Sequence, residues 1–306
     1  MRFWVGVTDN EWFRFLRGAK PEEVNFWQPS ARSTFSTLEP GSPFLFKLKR
    51  PYNHVGGGGY FVKFSVLPIS IAWESFGTKN GAASQEEFER LIRPLTPDPT
   101  ARDPDIGCTV LAEPFFWPEE MWVKDPVGWF ANIVRGRNYD TSEQEGATLW
   151  AEVQSRMTLA EAKAAGGVAE VKGGYGNSVL VKPRLGQGAF RVLVTDAYKR
   201  RCAITGERTL PVLEAAHILP FAKHGPHHVS NGLLLRSDFH KLFDLGYVTV
   251  SSDRRIKVSP RIREEWFNGK AYYRLDGQPL KTVPDESEFQ PKREYLEWHN
   301  KNVFQP

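Results

Sequence analysis

Five of the seven histidines of this 306-residue chain lie in one stretch, EAAHILPFAKHGPHHVSNGLLLRSDFHKLFDLG, which begins at Glu214 and ends at Gly246. It contains, in order, His217, Asn231 and His240. A neutral imidazole can take a proton from water near physiological pH, a second can ligate a divalent cation, and an asparagine amide can donate and accept at once. The series is compatible with a metal-dependent site, with a polar loop that is rich in histidine, and with histidines satisfied within a core, and the rest of the sequence has to decide among them.

The elements that would position these residues can be read from the same stretch. PVLEAAHILP is typical of a short strand that Pro220 ends, FAKHGPHHVSNG of a loop, and LLLRSDFHKLFDLG of a buried run followed by a helix that Gly246 terminates. Such a strand, loop and helix would bring the three residues together. His224, His227 and His228 stand among glycine and proline, which favours ordinary loop residues able to touch phosphate.

Three ordered blocks, AAHILP, NGLLLRSDFH and HKLFDLG, resemble the HNH endonucleases, in a branch without zinc. RLGQGAFRVLVTDAYKRRCAITG is similar to that branch's preceding helix and turn, so the resemblance covers about residues 181–250. It implies a ββα-metal fold that hydrolyses phosphodiester bonds with one divalent cation per site, Mg²⁺, Mn²⁺ or Ni²⁺. By the same resemblance His217 is the general base, His240 a metal ligand, and Asn231 the residue that ties the loop and orients the base.

The chain departs from this family at one expected ligand. Many relatives carry an acidic residue or a histidine immediately before the first motif histidine, where this chain has Ala216. The second ligand must then come from elsewhere or be water. Asp244 lies one helical turn after His240 and is the best substitute, with Glu214 a weaker one. The alternative is equally open, namely that Asp244 only caps or stabilises the loop.

Zinc-bearing members of the superfamily hold two cysteine pairs around this core. Here the first pair is replaced by Cys202 and Thr205, and the second by Arg236 and Phe239. A tetrahedral structural zinc would lack three of its four thiolates, so none is expected.

The first 140 residues predict an α+β domain, a small β-barrel or curled sheet flanked by helices. Strands are expected at FWVGVT, SPFLFKLK, GGYFVKFSVLP, SIAWESFG, CTVLAEPFFW and near Met121, and helices at NEWFRFLR and SQEEFERLIRPL. A helix over EQEGATLWAEVQSRMTLAEAKAA and the glycine-rich GGVAEVKGGYGNS then predict a connector at 141–180, followed by a nuclease domain at 181–306. KREYLEWHNKNVF predicts a closing helix, on which His299 is structural.

The stretches VNFWQPSARSTFSTLEPGSPFLFKLK and HVGGGGYFVKFSVLPISIAWESFG resemble the PUA-like group, which includes the EVE and ASCH domains. EVE domains fused to HNH nucleases resemble modification-dependent restriction enzymes that cut DNA containing modified cytosine, such as 5-methylcytosine. This implies a pocket that receives a flipped base between aromatic faces. The expected pocket residues are Phe26, Trp27, Ser30 and Trp73, and the expected contacts to backbone phosphates are Arg32, Lys47 and Lys49. The alternative is that these aromatic residues belong to the core of a small β-domain.

Charge and cysteine content set broad limits. The formal charge is +4 with a pI near 8.9, which permits a polyanionic partner. Basic residues are dense from Lys182 to Arg208, and Arg200, Arg201 and Arg236 are expected on the DNA backbone. Two distant cysteines suggest a reducing compartment, and the absence of a signal peptide or apolar span predicts a cytoplasmic protein with no membrane association.

The sequence therefore predicts a modification-dependent DNA endonuclease of the restriction type, acting on double-stranded DNA in defence and permitting a homodimer. Two alternatives stay open. One is a nonspecific or structure-directed HNH nuclease, and the other is a DNA-binding module whose HNH core is inactive, as the alanine before the first motif histidine would allow.

Overall fold

The computed structural model describes residues 1–31, 38–126, 128–130, 132–164 and 183–306. Contacts divide the chain into two compact units, Met1–Arg184 and Leu185–Pro306, both of which mix helices and strands. The predicted α+β class is therefore confirmed. In the described ranges, every helix is too short or too polar to cross a membrane.

The first unit is organised around a seven-stranded mixed sheet. Its strands are β1 (Arg2–Thr8), β2 (Glu23–Gln28), β3 (Pro43–Leu48), β4 (His54–Pro68), β5 (Asp105–Phe116), β6 (Val123–Lys124) and β7 (Gly136–Asp140). Hydrogen bonding follows the order β2-β5-β4-β3-β1-β7, with β6 paired to β4, and only the β1–β3 pair is parallel. Among the described residues the order is an open path, because no pairing of β2 with β7 closes it into a barrel.

Successive apolar residues of one strand belong in turn to the two faces of this sheet, and both faces are buried. Phe44 and Phe46 of β3 join one cluster, which α1 (Asn10–Ala19) covers with its own aromatic residues. Leu45 between them and Phe3 of β1 join a second cluster, which α4 (Gln144–Ala164) covers through Leu149 and Val153. Because neighbouring side chains of a strand point to opposite faces, continuous apolar runs are what a sheet covered on both sides requires.

One predicted strand of this unit is wrong. SIAWESFG lies in the helix α2 (Ile69–Phe76), which precedes α3 (Gln85–Ile92). Ile69, Ala72 and Phe76 are buried on one face, a helical spacing of three and four that a short apolar run does not distinguish from a strand. Asp103 accepts hydrogen bonds from the Ser70 backbone N–H and hydroxyl, at 3.1 and 2.5 Å, and so satisfies the first turn.

The predicted connector is in part a piece of the first unit. α4 packs its buried residues into the second cluster of the sheet. The glycine-rich segment expected after it lies in 165–182, outside the described residues. The domain limits at 140 and 181 stay a prediction beside the contact division after Arg184.

The second unit contains a hairpin between two helices and closes with shorter elements. In order these are α5 (Gln187–Ala197), β8 (Leu213–His217), β9 (Gly232–Arg236), α6 (Ser237–Asp244), β10 (Val248–Val250), β11 (Ile256–Val258), α7 (Arg261–Trp266), α8 (Lys270–Tyr273) and α9 (Arg293–Asn302). Strand β8 pairs with β9 and β10 with β11, both antiparallel. A single apolar core unites all of these helices and strands with the turn after α5. The strand, loop and helix expected over 213–246 are present.

Candidate active site

The hairpin of the second unit fixes the position of His217. His217 is the last residue of β8 and pairs in register with Gly232, the first residue of β9. Residues 218–231 form the loop between them. This loop must therefore leave and return at the same point, next to the His217 ring.

Asn231 holds that loop closed from its base. Its side chain is fully buried, and its Oδ1 accepts a hydrogen bond from the Leu219 N–H at 2.9 Å. Its Nδ2 donates to the Leu219 carbonyl at 2.9 Å and to the Pro226 carbonyl at 3.0 Å. The amide thus uses both its donor and its acceptor capacity on the loop backbone, on either side of the turn.

Two close approaches in this region require glycine. A Cβ on Gly232 would stand 2.5 Å from Val194 Cγ2 and 3.1 Å from the Phe190 ring, so a side chain there would displace that ring. A Cβ on Gly225 would stand 1.9 Å from the Leu219 carbonyl oxygen, which blocks any larger residue at the turn of the loop.

His217 lies between aromatic rings and is only partly buried. Phe190 of α5 stacks on it with ring centroids 3.9 Å apart and an interplanar angle of 12°. On its other side, His217 Nε2 lies 3.0 Å from Nδ1 of His227. Burial, followed by the positive charges that His227 and His240 can carry, lowers the pKa of His217 to about 4. The imidazole is therefore neutral near pH 7, the form that accepts a proton.

His240 of α6 stands between two carboxylates. Its Nδ1 lies 2.5 Å from Glu214 Oε2 on β8, and its Nε2 lies 3.4 Å from Asp244 Oδ2 one helical turn later. Burial, with a smaller contribution from the negative Glu214, raises the pKa of Asp244, while His240 and Lys241 oppose the rise. The charge that His240 can carry is also the smallest of the causes that lower the pKa of His217.

The donors of this cluster fit a divalent cation. When a neutral His240 donates its Nδ1–H to Glu214, its Nε2 turns a lone pair toward the Asp244 carboxylate, and two electron-pair donors at 3.4 Å suit a cation between them. Glu214 then orients the ligand instead of binding the ion. In the described part of the chain no three histidine, cysteine or acidic side chains already form a metal site. Two protein ligands, completed by water and phosphate oxygens, are a set that Mg²⁺ accepts.

The two departures from the nuclease pattern have distinct surroundings. Ala216 is fully buried in the core of the second unit. Cys202 is also buried, and its Sγ accepts hydrogen bonds from the backbone N–H groups of Thr205, at 3.4 Å, and Arg236, at 3.3 Å. The thiol thus acts as a weak acceptor that ties the turn after α5 to the start of α6.

The basic residues predicted to contact DNA differ in how their charges are balanced. Arg236 forms two hydrogen bonds with Asp238, both 2.7 Å, so a carboxylate already neutralises its guanidinium. Arg200 is 39 % exposed and lies 4.0 Å from Asp196, and Arg201 is half-buried. The expected contacts of these three residues with DNA stay a prediction.

A separate cavity of about 1320 Å³ lies in the first unit. Phe26, Trp27 and Ser30 line it, together with Trp12 from α1. The Trp27 Nε1–H donates to the Asn80 carbonyl at 2.9 Å, which fixes the plane of the indole. Three of the four predicted pocket residues are thus brought together.

Trp73 is not brought to this cavity. It lies on α2 and packs on Phe88, with ring centroids 6.0 Å apart, and it is absent from the described residues that line the cavity. Phe88 also contacts Trp27, at 6.0 Å between centroids. Trp73 is therefore a packing residue of α2 and α3 in this arrangement.

The predicted phosphate contacts of the first unit also separate. Lys49 is 53 % exposed and lines the cavity, with its ammonium 3.0 Å from Asp9. Lys47 is only 5 % exposed, donates to Asn53 Oδ1 at 3.0 Å, and has a pKa lowered by burial. An ammonium enclosed in this way does not face a phosphate. Arg32 lies outside the described residues.

Two residues of these sites escaped the sequence analysis. His227 was expected to be an ordinary loop residue, and the structure corrects this by placing its ring against His217. The position of His227 in the loop was the available signal. The loop begins and ends at the paired residues His217 and Gly232, so its second half, which contains His227, must return to His217. The sequence places Trp12 only within a helix, whereas the structure also places it among the residues that line the cavity.

Comparison with known proteins finds one family model and several solved structures that match parts of this chain. Residues 202–251 match the family model described as HNH endonuclease, which spans the hairpin, the loop and α6. Among solved structures, a point mutant of an ASCH protein from Zymomonas mobilis matches with a TM-score of 0.33 and 11% identity, covering 49% of this chain and 97% of that chain. A modification-dependent TagI restriction endonuclease matches with a TM-score of 0.29 and 15% identity, covering 92% of this chain and 76% of that chain. No curated protein matches.

Proposed function

Because its residues 202–251 form an HNH endonuclease region, we propose that this protein is a metal-dependent endonuclease that hydrolyses phosphodiester bonds of double-stranded DNA. The observation that carries the proposal is geometric: the His217 ring is stacked on Phe190 at the end of β8, and the donor atoms of His240 and Asp244 on α6 lie 3.4 Å apart, where they can hold a cation. A base that stays neutral and a cation site next to it are the two requirements of this reaction.

His217 takes the proton from the attacking water in this proposal. Phe190 holds the plane of the ring, and Asn231 holds the loop that returns beside it. His240 and Asp244 would bind one divalent ion, Mg²⁺, Mn²⁺ or Ni²⁺, while Glu214 keeps His240 in the ligating orientation. When bound, the ion would supply Lewis-acid stabilisation of charge on the phosphate and the leaving oxygen.

We also propose that the cavity of the first unit reads a modified cytosine turned out of the duplex. Trp27 and Phe26 offer aromatic faces, Ser30 offers hydrogen-bonding groups, and the exposed ammonium of Lys49 stands at the same cavity. Its volume of about 1320 Å³ admits a nucleotide. The nuclease would then be directed by the modification, as in restriction of modified foreign DNA, and a homodimer would cut both strands.

Cleavage of matched duplexes tests this function directly. Duplexes with and without 5-methylcytosine are incubated with the full chain in Mg²⁺, Mn²⁺ or Ni²⁺, and with a chelator. The proposal expects cutting of the modified duplex only, and none with the chelator. Cutting of both duplexes would leave a nuclease without the reader role, and cutting of neither would indicate a binding module, for which the buried Ala216 is the motivating feature.

Two variants separate the two parts of the proposal. His217→Ala should abolish cleavage and leave DNA binding intact, and retained cleavage would remove His217 from the role of base. Trp27→Ala should reduce discrimination between the duplexes while the cleavage rate at saturating protein is kept. Trp73→Ala is the matched control, because Trp73 is an aromatic residue of the same unit that does not line the cavity.

A further inference from the structure

The loop that Asn231 closes carries a second imidazole to the proposed base. His227 Nδ1 and His217 Nε2 are 3.0 Å apart, and their rings meet with centroids 5.0 Å apart at an angle of 60°. This is a hydrogen-bond distance between two ring nitrogens, so one of them must carry the proton and the other must accept it. The direction of that bond decides which nitrogen of His217 is basic.

Resting on the proposed function of His217, we propose that His227 is a positioning residue that accepts the hydrogen bond of His217 Nε2–H. This fixes the tautomer in which His217 Nδ1 holds the lone pair. The opposite direction would cover the His217 Nε2 lone pair and place the proton on Nδ1, which would leave no nitrogen free to act as base. Within the described part of the chain, His217 Nδ1 makes no hydrogen bond.

The neighbours of His227 fix the position of its ring. Phe221 stacks on its ring, with centroids 4.4 Å apart and an angle of 14°, and Phe190 lies at 5.7 Å. Asn231 anchors the carbonyl of Pro226, the residue immediately before it, at 3.0 Å. His224, three residues earlier in the same loop, is exposed and has a left-handed φ of 66°. Only one of these two loop histidines is therefore positioned by its neighbours.

The tautomer also completes the proton balance of the reaction. His217 Nδ1 takes one proton from water as the water oxygen forms its bond to phosphorus and the bond to the leaving oxygen breaks. The resulting imidazolium keeps its Nε2–H hydrogen bond to neutral His227, which stabilises the charge. Solvent protonates the leaving oxygen, and His217 returns its extra proton to solvent.

The tautomer can be measured without any nuclease activity. Imidazole ¹⁵N shifts of the ¹⁵N-histidine-labelled full chain distinguish Nε2–H from Nδ1–H, and His217→Gln identifies the His217 signals. The proposal expects Nε2–H in the wild type and in His227→Asn, whose amide oxygen can accept where Nδ1 did. It expects a mixture or the other tautomer in His227→Ala.

Cleavage rates give the second readout. His227→Ala should slow single-turnover cleavage by about 10- to 100-fold, the usual cost of losing a group that orients another. His227→Asn, whose amide oxygen can accept the same hydrogen bond, should recover most of that loss. DNA affinity should be constant throughout.

Two results would overturn the inference: a His217 tautomer that is Nδ1–H in the wild type or unchanged in His227→Ala, or a His227→Ala variant that cleaves at the wild-type rate. Failure of the proposed function has a different signature. There, His217→Ala would retain cleavage, whatever the tautomer measurement gave.

Discussion

Replacing Asn231 with alanine should open the loop beside the proposed base and stop cleavage. The substitution removes three hydrogen bonds of 2.9, 2.9 and 3.0 Å, with Leu219 N–H, the Leu219 carbonyl and the Pro226 carbonyl. All three come from one side chain that is fully buried. The backbone groups left behind have no replacement partner until the loop moves or water enters.

The expected magnitude follows from the number of bonds. A buried hydrogen bond contributes about 1 kcal/mol net, and a group left unpaired costs about 1–3 kcal/mol, so the loss of three bonds costs about 3 kcal/mol or more. At about 1.4 kcal/mol for each factor of ten, opening of the loop becomes at least about 100-fold more frequent. Asn231→Asp should behave similarly, because a carboxylate can accept from Leu219 N–H but cannot donate to either carbonyl.

Hydrogen exchange of the full-length protein is the direct assay. The Leu219 amide is bonded to Asn231 Oδ1, so peptides covering 219–228 should exchange at least about 100-fold faster in Asn231→Ala. Asn300→Ala is the matched control. Asn300 donates to the Val250 and Leu296 carbonyls at 2.7 and 2.6 Å, within the same unit and outside the loop.

The Asn300→Ala control should therefore lower the free energy of unfolding. At a temperature where the protein stays folded, its exchange over 219–228 and its cleavage rate should stay near those of the wild type. Unchanged protection of 219–228 in Asn231→Ala would refute the clamp. Fast exchange together with wild-type cleavage would refute the link between the clamp and the base.

Three further outcomes are expected. Gly232→Ala should slow cleavage and cost about 1–3 kcal/mol of stability, measured by denaturant unfolding, because its Cβ would meet Val194 at 2.5 Å and push the Phe190 ring from the base; an unaltered rate would contradict this. Burial lowers the pKa of His299 from 6.5 to about 4, so the unfolded state binds the proton first as pH falls, and up to about 3 kcal/mol of unfolding free energy should be lost from pH 6.5 to 4. His299→Gln should flatten that slope, and an identical slope would rule out this source. Asp244→Ala should raise the Mg²⁺ concentration for half-maximal cleavage by about 10-fold or more, and an unchanged requirement would exclude it as a ligand.

The nuclease region could be predicted because its signals are local. The loop is marked by its glycine and proline residues, and the helix ends shortly before Gly246. The match of residues 202–251 to the HNH endonuclease model confirms the prediction for that region. The α+β class was equally accessible from strand and helix patterns. Among the site residues, His217 and His240 were found from their order in the chain, and their roles stay a proposal.

The wrong predictions concern features that depend on tertiary contacts. SIAWESFG has too few residues to separate a strand from a helix, and only the burial of Ile69, Ala72 and Phe76 on one face shows which it is. Lys47 alternates with apolar residues in a sheet that is covered on both faces, so a charge expected outside is enclosed. Neither outcome is visible without knowing which elements cover the sheet.

Glu214, two residues before Ala216, supplies a carboxylate near the position where the family's expected ligand is missing. Ala216 is buried in the core, where a charged side chain would need a partner. Glu214 lies on the same face of β8 by the two-residue period of a strand, and its carboxylate reaches His240 at 2.5 Å. In the proposed site, Glu214 would orient one histidine ligand and Asp244 would be the second donor, which gives two protein ligands. Such a site leaves more positions for phosphate and water than a three-ligand site, which suits an ion that must bind its substrate directly.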